Sequence, residues 1–460
     1  MDYLDQVAEF VVDTPSAALP PEVLEKTALI LADSIGAIAG GMAEPEMQAL
    51  VAGLEATGSA VVIGTGRHAP PGMAALVNGT AGTTLEMDEG TQFARGHPGM
   101  HTIPAALAFA GAEAARGRAI SGRDLLAAIA LGYEVGARVG IACNLRPSLH
   151  PHGTWGAVCA AVAVARLAGR DAGQIRHAIN MAASFALAPS RRTMLEGGTV
   201  RNALAGVSGQ LGLTVHDLLQ AGFEADRDGL GQVFGRSLSD AFDPARMTEA
   251  LGTRWEVTRN YFKLHACCRF NHATLDALAQ IVAREGALEP DAIAGVEVQT
   301  YAFAVELDDP APRNMLAARF SVPFAVATAL VTGRTDIGSF TAARLGDPAI
   351  RALAARVRVT EDPAMTAALP DRRPARISLT LTDGRRLQAV TATNRGDWAD
   401  PYGVPELREK FLSLATRVWS AGHAASLWEA TLALSTETAV GPWLDTLGAR
   451  PAPGARAAAG

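Results

Sequence analysis

A mainly α fold is what the sequence predicts: a large all-helical domain, with a smaller α+β domain lying between two of its segments. Three observations lead there. The chain has 460 residues, more than one ordinary hydrophobic core organises. Aromatic residues make up only 5% of it while alanine abounds, and alanine packs helices closely because it loses no side-chain entropy in a helix. After about residue 290 the apolar spacing changes from three and four residues to alternation, and later changes back. These shifts put the helical domain at residues 1–268 plus 394–460 and the α+β domain at 269–393.

The elements follow in order. Residues 18–41 place apolar side chains at helical spacing, with Pro20-Pro21 at the start and Gly40-Gly41 as the expected stop. Residues 121–140 begin on a Ser that can cap and continue amphipathically. Residues 153–171 and 171–188 read as buried, alanine-packed helices. Alternation then marks strands at 295–303 and 356–362. Two alternating arms in 375–393 flank Asp383-Gly384, the signal of a tight β-hairpin. Helical spacing returns in 320–333 and 347–357, and again from Val404 to about Leu447. The last ten residues read as a loose end.

The net charge is -7, with no basic tail or lysine-rich run, so nucleic acid is excluded as an expected partner. The acidic N-terminal stretch lacks the basic region of a signal peptide. Apolar runs such as 125–133 and 157–165 fall short of the ~18 residues that a membrane span needs. A cytoplasmic protein is expected, with Cys143, Cys159, Cys267 and Cys268 reduced. There is no GxGxxG after a strand and no phosphate-binding Walker loop. Lysine is scarce: Lys26, Lys263 and Lys410 stand against 37 arginines.

Four stretches concentrate reactive side chains. Residues 78–101 carry Glu86, Asp88 and Glu89, then Arg95, His97 and His101. A histidine held in the His97-Pro98-Gly99 turn beside a carboxylate is an acid/base candidate, and a solvated acidic loop is the plainer reading. His150 and His152 flank Pro151 just before a helix, where backbone N–H groups favour an anion; a surface turn is the alternative. Arg191, Arg192 and Arg201 surround Gly197-Gly198, where guanidinium forks could grip carboxylates or simply form a basic surface loop. The fourth, Asn260–His272, reads NYFKLHACCRFNH. Adjacent cysteines suit neither a shared metal nor a relaxed disulfide, and no second cysteine pair completes a zinc motif. A nucleophilic Cys268, its pKa lowered by Arg269 and His272, remains open. So does a cationic pocket of Lys263, His265, Arg269 and His272, with Lys263 a general base if burial lowers its pKa. No metal is expected, because no three ligands stand at a recognised spacing.

Several of these stretches together resemble the MmgE/PrpD family: Asn78-Gly-Thr with Asp88 and His97-Pro-Gly, residues 132–140, 150–157, 263–277 and 318–327, in the family's order over nearly the whole chain. That family includes 2-methylcitrate dehydratase, cis-aconitate decarboxylase and iminodisuccinate epimerase. The resemblance implies a helical domain built from both chain ends, an inserted α+β lid, a homodimer, and neither a metal nor an organic cofactor. It implies a small di- or tricarboxylate substrate bound between the domains and chemistry that begins with loss of a proton α to a carboxylate. Asp88 matches the family's active-site aspartate, His97 the HP-turn histidine and His150 the histidine before GTWG. Lys263 matches the lysine that opens the KxxxxC segment, and Cys268 a variable position in the same pocket. Two departures stand out. Family dehydratases read HALDFDD where this chain has Thr83–Glu89, and a lysine usual before a Gly-Ala-Ala helix start is missing from the zone around Arg191. Both imply a different carboxylate clamp.

The expected function is a cofactor-independent lyase, a dehydratase or decarboxylase, with catalytic Asp88, His97, His150 and Lys263. Arg191, Arg192, Cys268, Arg269, His272 and Tyr133 are the expected substrate contacts. An epimerase of a small dicarboxylate and a non-catalytic carboxylate-binding protein are the alternatives.

Overall fold

The computed structural model describes residues 1–55 and 57–450. The expected loose end at 451–460 lies outside the described residues. The fold is mainly α, as the composition predicts. Its largest hydrophobic cluster is built by the helices Pro21–Met42, Pro71–Thr84, Pro98–Ala115, Gly122–Ala142, Gly156–Leu167 and Ala203–Gln220, joined by Val404–Ala415 and Ala421–Leu432 near the chain end.

These helices touch through small residues. A Cβ on Gly41 would stand 1.9 Å from the Ala81 carbonyl oxygen, and one on Gly206 would stand 2.0 Å from that of Leu76. The first long helix ends at Met42, one residue past the expected stop at Gly40-Gly41, and these glycines also allow close approach. The Ser121 cap is present, its side chain accepting from the Asp124 N–H. His97-Pro98-Gly99 is a helix start rather than a free turn, with His97 as N-cap and Pro98 in the first position. Helix Gly122–Ala142 is long and apolar enough to span a membrane, contrary to the reading of its shorter runs, but 94% of its apolar window is buried inside the fold.

A second hydrophobic cluster gathers most of its members from residues 266–389. Its four-stranded sheet places Ile293–Thr300 between Val357–Glu361, parallel to it, and Ala375–Leu381, antiparallel. Arg386–Thr391 completes the expected hairpin with Ala375–Leu381, and Gly384 takes φ +88° in the turn. Helices His272–Glu285 and Val322–Thr332 pack with this sheet. Leu85, Met87, Met194 and Leu414 also belong to this cluster, so the chain segment just before the reactive carboxylates is anchored in it. Two short strand pairs, Ala60–Val62 with Arg67–Ala69 and Cys143–Leu145 with Ser239–Phe242, interrupt a region expected to be purely helical.

Candidate active site

Helix Pro71–Thr84 ends at Leu85, and the chain then turns sharply. Glu86 adopts φ +55°, a left-handed conformation uncommon for any residue but glycine. The turn sends Glu86, Asp88 and Glu89 into the protein, and all three are buried. Distant segments hold this turn. The Gly90 N–H donates to the Tyr261 carbonyl at 3.1 Å, and the Tyr261 N–H returns a bond to Gly90 at 2.7 Å. Lys410 Nζ donates to the Met87 carbonyl at 2.6 Å, and Arg319 Nη1 to that of Thr84 at 2.7 Å.

Each carboxylate has its own partners. Asp88 Oδ2 lies 2.8 Å from His97 Nδ1, which also meets the Glu89 carbonyl at 2.6 Å. With Nδ1 held there, Nε2 is the ring atom left for proton transfer. Lys263 Nζ sits between Glu86 Oε2 at 3.3 Å and Asp88 Oδ1 at 3.4 Å. Glu86 is also paired with Arg201. Burial opposes the Asp88 charge, yet His97 and Lys263 outweigh it and hold Asp88 far below the usual carboxylate range. Burial also opposes the charge on Lys263, but Asp88 and Glu86 keep its ammonium above its ordinary range. The desolvation expected to make Lys263 a base is therefore overturned by its two carboxylates.

The histidines converge on the same point. His152 packs edge-on to His97 with ring centroids 4.5 Å apart, to His150 at 4.9 Å and to His101 at 5.4 Å. The His150 and His152 rings are held neutral, first by burial and then by Arg201. His101 is pushed down to about 3 by burial and the neighbouring His97. His150 Nδ1 accepts the backbone N–H of His152 at 3.0 Å, whereas both ring nitrogens of His152 are buried without a hydrogen-bond partner. The motif before the helix thus supplies two imidazoles, and His152 is the one beside His97.

His97, His150, His152, Arg201, Tyr261 and Cys268 open on one cavity. Arg95, Arg191, Arg269 and Arg373 line it as well. Arg191 and Arg269 carry ion pairs of their own, with Glu306 at 2.6 Å and Asp397 at 2.5 Å. Arg192 turns away: its side chain is 78% exposed and meets Glu196. His272 is buried against His265, accepts from Arg269 at 2.9 Å and does not line the cavity. Tyr133 also lies behind the site, donating to Glu89 Oε2 at 3.0 Å. Burial pushes the Cys268 thiol up to about 11, the opposite of the lowering expected from Arg269. Among the expected residues, then, Asp88, His97 and Lys263 form one connected cluster, with His150, Arg191, Cys268 and Arg269 around the cavity.

Sequence reasoning passed over Tyr261, Phe270, Phe320 and Arg373 as site residues. Tyr261 sits two residues before Lys263, an available signal. Arg373 stands in an arginine-rich turn with nothing around it to set it apart. For a metal, Asp88, His97 and His152 could bring one ligand atom each within 4.8 Å of one another, where Asp88 Oδ2 and His97 Nδ1 already face each other at 2.8 Å.

Residues 5–239 match the MmgE/PrpD N-terminal domain and residues 265–436 the MmgE/PrpD C-terminal domain. The chain is 25% identical to a cis-aconitate decarboxylase-like protein of Aspergillus oryzae, covering 95% of each chain. It is 24% identical to a cis-aconitate decarboxylase of Aspergillus terreus, over 93% of this chain and 92% of the relative. With the cis-aconitate decarboxylase of Homo sapiens it shares 27% identity over 78% of this chain and 75% of that protein. With both domain models matched in order along most of its length, the chain belongs to the MmgE/PrpD family.

Proposed function

We propose that this protein is a lyase of a small di- or tricarboxylate, working by proton transfer α to a carboxylate without an added cofactor. The observation that carries this reading is the Asp88–His97 pair, set beside two neutral imidazoles on an arginine-lined cavity. A neutral imidazole is the correct form to accept a proton near neutral pH, and His152 or His150 takes that role. Losing an α-proton leaves an electron pair next to a carboxylate, so negative charge builds where Arg201 already faces the cavity. Fixed cations offset such charge without reorganising. His97, with Asp88 on Nδ1, returns a proton from Nε2 to the leaving group or product carbon. Lys263 stays charged and balances Glu86 and Asp88, so Asp88 remains ionised behind His97. The names of the relatives, decarboxylases of a carboxylic acid, support the lyase class.

Proton NMR of the purified protein in D2O with cis-aconitate, citrate, methylcitrate, malate, aspartate and iminodisuccinate tests the reading. A new alkene or loss of CO2 is the expected result. Deuterium entering a stereocentre with the skeleton unchanged would replace the lyase by an epimerase, and no change in any substrate would overturn both. Comparing His150→Asn with His152→Asn then identifies the base, as the variant that loses exchange at the α-carbon.

A further inference from the structure

One group of charges in the cavity is left over by the chemistry above. Phe270 and Phe303 stack with centroids 6.1 Å apart and 19° between their planes. Arg95 and Arg191 hold their guanidinium carbons 5.6 and 5.4 Å from the Phe303 centroid, and Arg373 holds its own 5.3 Å from that of Phe270. Three cations therefore share a two-ring platform. Their balance is incomplete. Arg191 pairs through Nε with Glu306, yet its Nη2 is buried without a hydrogen-bond partner. Among the described residues Arg95 and Arg373 form no ion pair, and Arg373 donates only to the Gln92 carbonyl, at 3.1 Å. Arg95 is fixed at φ +54°, a left-handed backbone that an unbranched residue tolerates only at some expense of stability. Like charges gathered on a partly dry surface repel one another, and an anion that bridges them removes the repulsion.

Arg201 belongs to the other end of the cavity, where it pairs with Glu86 beside the histidines. We propose that Arg95, Arg191 and Arg373, presented by Phe270 and Phe303, form a specificity rim that takes a carboxylate beyond those held at the histidine end, so that the site selects tricarboxylates over dicarboxylates. The inference rests on the carboxylate-lyase reading for the reaction, but the rim itself is a binding property and is testable without turnover. Planar guanidiniums favour a carboxylate through paired N–H donors, and the ring faces restrict their orientation.

Isothermal titration calorimetry with two unreactive probes, tricarballylate and glutarate, measures the selectivity. Wild-type protein should bind tricarballylate at least tenfold more tightly than glutarate. Arg95→Gln and Arg373→Gln should each lose at least tenfold for tricarballylate and less for glutarate, so that the preference collapses. Arg373→Lys should recover only part of it, since an ammonium keeps the charge but not the planar fork. Phe303→Leu, which keeps every charge, should also weaken the preference and covers the event that Arg373→Gln folds poorly. A wild-type protein without the preference, or folded variants that retain it in full, overturns the rim. If tricarballylate binding depends on these arginines while no polycarboxylate is turned over, the rim stands and the lyase reading falls. Turnover of a polycarboxylate with selectivity indifferent to them gives the reverse.

Discussion

At the residue scale, the site works by charge pairing in a place where water is excluded. Lys263 is fully buried, and its ammonium is tolerable only because Glu86 and Asp88 stand on either side of it. Lys263→Met should therefore destabilise the fold by about 3–5 kcal/mol, the usual result of leaving buried charge unpaired, and should lower kcat at least a hundredfold as Asp88 gains a proton. Urea unfolding and NMR turnover measure the two effects. Glu89 offers a pH test. Burial pushes its carboxyl up to about 8, against the bonds from the Gly99 N–H and the Tyr133 hydroxyl. Its folded-state pKa thus lies above the unfolded value, and the native state holds the extra proton between them. Stability must then fall as pH rises through that window, by up to about 1.4 kcal/mol per pH unit, and level off above it. Glu89→Gln mimics the protonated form and should flatten this part of the Tm profile between pH 5 and 8; an unchanged slope would assign the dependence to another group. Much of this was legible in the sequence. The scarcity of lysine drew attention to Lys263, and the carboxylates and histidines of 86–101 stood close together in the chain. The state of Lys263 was not legible, because burial and pairing push its pKa in opposite directions and only the positions of Glu86 and Asp88 decide which prevails. Nor could spacing choose between His150 and His152, since both follow the same turn and only packing against His97 separates them.

At the scale of elements, the site depends on how closely its supporting helices approach. Helix Pro71–Thr84 delivers the carboxylate turn, and helix Ala203–Gln220 crosses it where Gly79 and Gly206 meet. A Cβ on Gly79 would lie 2.6 Å from the Gly206 Cα, and one on Gly206 would lie 2.0 Å from the Leu76 carbonyl oxygen. Backbone cannot yield as the end of a flexible side chain can. Gly206→Ala should accordingly force the two helices apart, costing about 1–3 kcal/mol. Because the turn that follows carries Glu86 and Asp88, activity should drop by more than the lost stability explains at a temperature where the variant stays folded. Circular dichroism melts and turnover at 15 °C check both, and an active, equally stable variant would show that the contact is slack. Helices and strands were readable from periodicity, including the hairpin at Asp383-Gly384. The close approach made by Gly40 and Gly41, at the end of Pro21–Met42 where a stop is expected, is not legible, because a sequence does not show which glycine faces a neighbouring element.

At the scale of the whole molecule, the change of texture near residue 290 anticipated the second hydrophobic cluster, but not how firmly it is tied to the first. Leu85 and Met87 enter that cluster from the carboxylate turn. Arg319 bonds the Thr84 carbonyl, and Arg269 is paired with Asp397 across 128 residues of sequence. Contacts between residues so far apart leave no periodic trace. The cavity is lined from both regions, by His97, His150 and Arg201 on one side and Cys268, Phe270 and Arg373 on the other. A ligand there binds only when both are folded and joined. Hydrogen exchange in increasing urea should then find helix Gly122–Ala142 and hairpin Ala375–Thr391 losing protection at the same midpoint. Tricarballylate at 100 times its Kd should raise the stability of both by the same ~2.7 kcal/mol. Separate midpoints, with only one moved by the ligand, would mean that the two clusters unfold independently and that the shared turn at Leu85–Asp88 is too weak to couple them.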